Sequence, residues 1–273
     1  TLDGTLFPYT TLFRSGQFAN GDFWVVGPVT ITGISPKSTD VAGRIMNGSM
    51  LNPSPKNNGQ GYDNAMVYNT YAPDLNVAYN VSAAKPLVLQ PHSSLVSMIS
   101  DPKAGASPQM LRAAILTVLP SAPAPGSFRP PYCGTDKSIR FNKSDLDYSL
   151  LKNLTPVANT PTLASVEEKF AAPWIDHKSG FAARLQHPGE NMPPYGRDLH
   201  VALGEGALML HLNFTTQQKE TLLCRYVQLG IDFYGIVEGG GIWNWVGEGG
   251  HGGGRKWPIL LAGMVLHDEA MKA

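Results

Sequence analysis

The spacing of apolar side chains changes about halfway along the chain. From residue 16 to 120 they come in short β-branched or alternating runs broken by turn residues; beyond residue 140 they recur every third or fourth position. The first pattern predicts strands and the second predicts helices. Gln17-Phe18-Ala19, then Asn20-Gly21, then Asp22 to Val26 reads as a hairpin, because Asn and Gly both tolerate positive φ. A second Asn-Gly at 47–48, between Arg44-Ile45-Met46 and Ser49-Met50-Leu51, reads the same way. Val29–Thr32, Leu75–Val81, Pro86–Leu89, Ser94–Ile99 and Ala113–Leu119 complete the expected strands. Short strands with frequent turn signals predict an N-terminal antiparallel β-sandwich over 16–120.

Five prolines, at 120, 123, 125, 130 and 131, exclude regular structure from the next stretch, so 121–140 reads as an irregular linker. Residues 141–273 then read as helical. Ser144 caps a short helix over 145–154. A helix over 195–212 carries the stripe Leu199, Leu203, Gly206, Ala207 and Leu210. Thr215 with Gln218 has capping-box spacing and opens a helix with Leu222, Leu223, Tyr226, Val227, Gly230, Ile231 and Tyr234 on one face. Gly239–Gly241 ends it. Pro258 opens a last helix with the stripe Leu260, Leu261, Met264, Val265 and Asp268, still running at residue 273. These features predict a helical domain whose C-terminal part is missing from the sequence.

Charge narrows the function classes. Twenty-one basic residues balance 21 acidic ones, which argues against a broad nucleic-acid or anionic-membrane surface. Charged residues make up 15% of the chain, below the usual share of about 25%, and no apolar run is long enough to span a membrane. Cys133 and Cys224 form no metal-ligand spacing and read either as one disulfide or as two buried thiols. Phe7 to Ser15 resembles the translation of a short-read sequencing adapter, so residues 1–15 are expected not to belong to the fold.

The candidate chemistry concentrates near the C-terminal end. Nine of residues 239–254 are glycine, interleaved and flanked with Trp243, Asn244, Trp245, Glu248, His251, Arg255, Lys256 and Trp257. Ordering glycine costs backbone entropy, so the loop reads either as a ligand site or as a structural clasp. Indoles stack on sugar faces, and Arg255 can grip a carboxylate with two parallel bonds. Tyr195, Arg197, Asp198 and His200 form a second cluster at a helix start, readable as an anion and proton-transfer site or as a capped helix with a salt bridge. No P-loop, H-E-x-x-H or G-x-S-x-G pattern is present, so neither cofactor nor metal is expected.

The helical hairpin from Tyr195 to Gly235, containing Gln228-Leu-Gly-Ile-Asp-Phe-Tyr, and the following Gly-Gly-His-Gly-Gly-Gly-Arg-Lys-Trp-Pro together are similar to carbohydrate-active enzymes built on an (α/α) toroid, in particular polysaccharide lyase-like proteins. The resemblance covers about 80 residues. It implies the first helical hairpins of an incomplete (α/α) toroid-like domain, an extracytoplasmic location, and a polysaccharide or oligosaccharide partner. For a lyase it implies β-elimination on an acidic polysaccharide, with Tyr195 or His251 as base and Asn244, His251 or Arg255 neutralising the uronate. Arg197, Trp243, Asn244, Trp245 and Trp257 would bind substrate. With the β domain first, the order is also similar to toroid glycoside hydrolases, which need two carboxyls drawn from Asp198, Glu205, Glu238 and Glu248. A non-catalytic glycan-binding protein is the third reading.

Overall fold

A computed structural model describes residues 14–57, 59–66, 70–103, 110–178, 186–193, 196–245 and 254–273. The described fold is mixed α/β, with sheets, five α-helices and no closed barrel. None of these helices is long and apolar enough to cross a membrane.

The strands are β1 (Ser15–Gln17), β2 (Phe23–Val26), β3 (Val29–Ile31), β4 (Asp40–Val41), β5 (Arg44–Ile45), β6 (Ser49–Leu51), β7 (Leu87–Leu89), β8 (Ser93–Ser100) and β9 (Met110–Leu119). Five of them form one sheet in the order β1-β2-β9-β8-β6, and the pairs β3–β7 and β4–β5 stand apart. The first Asn-Gly does turn a hairpin: Ser15, Gly16 and Gln17 face Val25, Trp24 and Phe23, with Gly21 at φ 98°. Ser15 is thus part of the sheet, and the Arg14 carbonyl accepts the Val26 N–H, so the adapter-like stretch contributes its last two residues to the fold.

Three sequence expectations fail here. The main sheet is not wholly antiparallel, because β2 runs parallel to β9, with Phe23 opposite Leu116 and Val26 opposite Leu119. The second Asn-Gly makes no hairpin. Asn47 instead exchanges two 3.0 Å bonds with Ser100, and a Cβ on Gly48 would stand 1.9 Å from the Gly61 carbonyl oxygen. The tight turn nearby is Ala42-Gly43, at φ 54° and 85° between β4 and β5. The expected strand over 75–81 is a 3-10 turn (Pro73–Leu75) followed by irregular chain.

Strands β8 and β9 are covered on both faces, and period 2 sorts their side chains. Val96, Met98, Ala113 and Ile115 enter the main core, whereas Leu95 and Val118 join Val25, Val29 and Leu89 under the β3–β7 pair.

The helices are α1 (Leu163–Glu168), α2 (Gly196–Leu210), α3 (Thr216–Ile236), α4 (Lys256–Val265) and α5 (Glu269–Lys272). The capping box at Thr215 and Gln218 is formed, and the apolar stripes of α2 and α3 are buried apart from Tyr234, which is half-buried. At Gly230 a Cβ would lie 2.3 Å from the Pro258 carbonyl oxygen, so glycine lets α4 start directly on α3. In place of one helix over 145–154 there are two 3-10 turns, capped by Asn142 and Asp147. The last helix also breaks. His267 adopts φ 55°, and Asp268 leaves the expected stripe to cap α5 by accepting the Met271 N–H at 2.9 Å. These helices do not close a core by themselves; a single apolar cluster runs from Met50, Val96 and Ile115 of the sheet to Leu203, Tyr226 and Ala262 of the helices.

The stretch 121–140 contains no helix or strand, yet Phe128, Arg129, Tyr132, Cys133 and Lys137 within it are buried. Arg129 explains why. Its guanidinium grips Asp232 of α3 at 2.9 and 2.6 Å and Asp22 of the β1–β2 turn at 2.7 Å. Its backbone exchanges bonds of 2.9 and 3.0 Å with the Gln228 side chain. Burial opposes the guanidinium charge, but Asp232 and Asp22 outweigh it and hold its pKa above the ordinary value. Lys137 donates to the carbonyls of Pro131, Tyr132 and Cys133, and burial draws its ammonium down to about 7. Both cysteines are free and buried, and burial lifts the Cys224 thiol to about 11.

Removing one partner of a buried pair strands the other charge and costs about 3–5 kcal/mol, whereas replacing both by apolar groups is far milder. Arg129→Met should therefore destabilise the protein by about that amount in urea unfolding, and Arg129→Met with Asp232→Leu should recover most of it. A single variant costing less than about 1 kcal/mol would show that this network does not join the sheet to the helices.

Candidate functional site

Of the residues singled out in the sequence, His200, Asn244, Trp245, Arg255 and Trp257 lie around the turn that opens α4. After α3 the chain makes one π-helical turn, Val237–Gly241, with Gly240 at φ 87°. Asn244 then donates to the carbonyls of Pro55 at 2.8 Å and His177 at 2.6 Å, and the Trp245 indole N–H donates to the Asp176 carbonyl at 3.0 Å. On the far side of the glycine-rich segment, Arg255 is buried and held by Asp176, through Nε and through Nη2 at 3.2 Å. Its guanidinium also lies 5.6 Å from the centre of the Trp245 ring. Both ends of the segment are therefore fastened to residues 176–177.

His251, Glu248 and Tyr195 lie outside the described residues. Of the rest, Trp243 is exposed (81%), and the exposed Arg197 pairs with Asp198 at 3.0 Å. Glu205 pairs with Lys169, and Glu238 lies 3.6 Å from Arg140. Each described carboxylate considered for hydrolysis thus has a cation beside it.

Two grooves lie beside the α4 start. One, of about 260 Å³, lies between α2 and α4 and is lined by His200, Leu203, Gly204, His211, Gly254 and Trp257. Gly254 has φ 82° and a Cβ there would sit 3.0 Å from the His200 Cα, so glycine brings this turn against α2. The cluster at 197–200 and the glycine-rich segment do meet, through His200. The other groove, of about 350 Å³, is lined by Tyr234, Val237, Trp245, Arg255, Lys256 and Ile259, with Met271 behind.

No protein-family model matches the chain, and no curated protein or solved structure matches it either. The arrangement has to be interpreted from its own chemistry.

In the first groove, the Lys152 N–H donates to His211 Nδ1 at 3.0 Å. That bond needs an unprotonated Nδ1, so the proton of neutral His211 sits on Nε2. Burial, with Lys219 and Lys152 close by, lowers its pKa. Beneath the Asn244–Arg255 clasp, the Tyr132 hydroxyl accepts the Asp176 N–H at 3.0 Å and stands 3.4 Å from His177 Nδ1. Burial drives His177 down to about 3, and Lys178 to about 8. Among the described residues no three His, Cys, Asp or Glu side chains group as a metal site.

Sequence reasoning missed Asp176, His177, Arg129 and Asp232 as a buried polar framework. A signal was present for Asp232: with Gln228 it puts two polar residues at i, i+4 beside an apolar stripe, and a carboxylate buried there requires a cation.

The His177 shift has a definite sign. Its folded pKa, about 3, lies below the ordinary 6.5, so between those values the unfolded chain binds more protons. Stability contributed by neutral His177 is complete above about pH 6.5 and is lost as pH falls toward 3. The expected result is that His177→Leu shows a shallower loss of melting temperature between pH 7 and pH 5 than the parent. Parallel curves would place the acid sensitivity elsewhere.

Proposed function

We propose that the protein is carbohydrate-active and that an acidic polysaccharide or oligosaccharide lies in the groove between α2 and α4. The observation that carries this reading is the juxtaposition of Trp257 and His200 across Gly254. Trp257 is 48% exposed, and an indole in a groove offers a flat apolar platform with one polar edge. His200 and His211 add hydrogen-bonding groups beside it. In this reading the N-terminal sheets are the β-sandwich of a secreted or periplasmic protein, and α2–α3 begins an (α/α) toroid-like domain.

The groove's side chains suit two roles. Lyase-like β-elimination needs a base and a group that neutralises the uronate carboxylate. Asn244 and Arg255 are engaged with protein partners, so the lyase proposal places this work on Tyr195, His200 and His251. Non-catalytic glycan binding is favoured by that same engagement of Asn244 and Arg255.

Titrating oligogalacturonate and oligoalginate into the parent, Trp257→Ala and His200→Ala tests the reading. Loss of the stacking platform should weaken binding about tenfold, with the melting temperature nearly unchanged because both side chains are exposed. Growth of ultraviolet absorbance from unsaturated ends marks a lyase; binding without it marks a binding protein. Parental affinity in both variants would remove the support for a sugar site in this groove.

A further inference from the structure

Resting on the glycan reading, we infer that the groove between α2 and α4 takes a linear oligosaccharide of about three sugar units, laid along α2 from Trp257 to His211, and that His211 reads its length. One wall of the groove is formed by His200, Leu203, Gly204, Ala207, Leu208 and His211. His211 follows the last residue of α2 and continues its turn, donating its N–H to the Leu208 carbonyl at 3.0 Å. These positions fall at the spacing of one continuous helical face, so the wall is a straight track. At a rise of about 1.5 Å per residue, His200 and His211 stand about 16 Å apart along the axis. A single sugar ring is much shorter than that. A ring stacked on Trp257, which meets α2 beside His200, leaves the His211 end to units further along the same chain.

Gly204 keeps that track clear. Glycine inside a helix costs backbone entropy, so its presence asks for a cause. At Gly206 the cause is packing, because a Cβ would lie 2.8 Å from the rings of Phe170 and Tyr226. Gly204 has no such neighbour: a Cβ there would meet nothing within 4 Å. Its bare backbone lines the groove between His200 and His211, where a ligand can approach the helix closely.

His211 is held ready at the far end. Its carbonyl accepts the Leu154 N–H at 2.8 Å, and its Nδ1 accepts the Lys152 N–H at 3.0 Å. Nε2 of the neutral ring therefore carries the proton, and it donates to no acceptor among the described residues. A fixed donor with nothing to bond suits a sugar oxygen, and little ordering is left to be done when one arrives. A uronate carboxylate makes the stronger bond, since it is charged.

Calorimetry on the full chain with oligogalacturonates and oligoalginates of two to five units tests the inference. Affinity should rise about tenfold from two units to three, and by less than about twofold for each unit beyond. His211→Asn keeps an acceptor for the Lys152 N–H, because the Asn Oδ1 takes the place of Nδ1, but it lacks the Nε2 donor. Two and three units should then bind equally. Gly204→Leu sets a side chain on the track and should erase the same step, without lowering the melting temperature because leucine favours a helix more than glycine does. If His211→Asn fails to fold, Gly204→Leu still decides. A parent that binds none of these sugars would overturn the glycan reading and this inference with it. Binding with no step between two and three units, or a step that survives in either variant, would overturn this inference alone.

Discussion

Burying a guanidinium obliges a fold to build a complete set of acceptors around it, and Arg129 makes that demand at the point where the sheet and the helices meet. An isolated charge in such a place would cost many kcal/mol. Asp232, Asp22, Gln228 and the Pro130 carbonyl together supply the partners. They come from α3, from the β1–β2 turn and from the proline-rich stretch, so none of these can shift without exposing or stranding a charge. The prolines make this workable. A segment that offers few N–H donors and resists regular structure can cross the core boundary while its carbonyls are capped by Lys137 and its Arg129 is held by acids.

The second buried pair, Asp176 with Arg255, does similar work beside the same C-terminal half of α3, where Trp245 packs on Phe233. Together with Asn244 and Trp245 it fastens both sides of the glycine-rich segment to one short stretch of chain. The strongest recognisable side chains of the region are therefore partly spent on holding it in place. What they leave open are the grooves flanking the α4 start, one edged by imidazoles and an indole, the other walled mainly by aromatic and aliphatic side chains. Side chains that are already held by protein partners beside an open groove suit ligand binding, because less ordering is left to be done when a ligand arrives.

Several elements were legible in the sequence because their causes are local. The first Asn-Gly hairpin, the long strands 93–100 and 110–119, the capping box at Thr215 and Gln218, and the apolar faces of α2 and α3 follow from turn chemistry and periodicity alone. The second Asn-Gly was misleading because what governs it is distant: Gly48 is needed for contact with Gly61, and Asn47 for bonds to Ser100. Asp268 misled in the same way, since a residue in register with an apolar stripe can equally serve as the cap of the next helix.

The sequence by itself determined where strands give way to helices, and which residue types crowd around residues 191–200 and 238–257. It did not determine which of those side chains would remain open to a ligand. Arg255, Asn244 and Trp245 have the chemistry of a binding site, yet their partners Asp176, His177 and Pro55 lie roughly 70 to 190 residues away, and no local pattern announces such pairings. Only the tertiary structure decided between recognition and anchoring, because a donor's role depends on which acceptor the fold brings to it first.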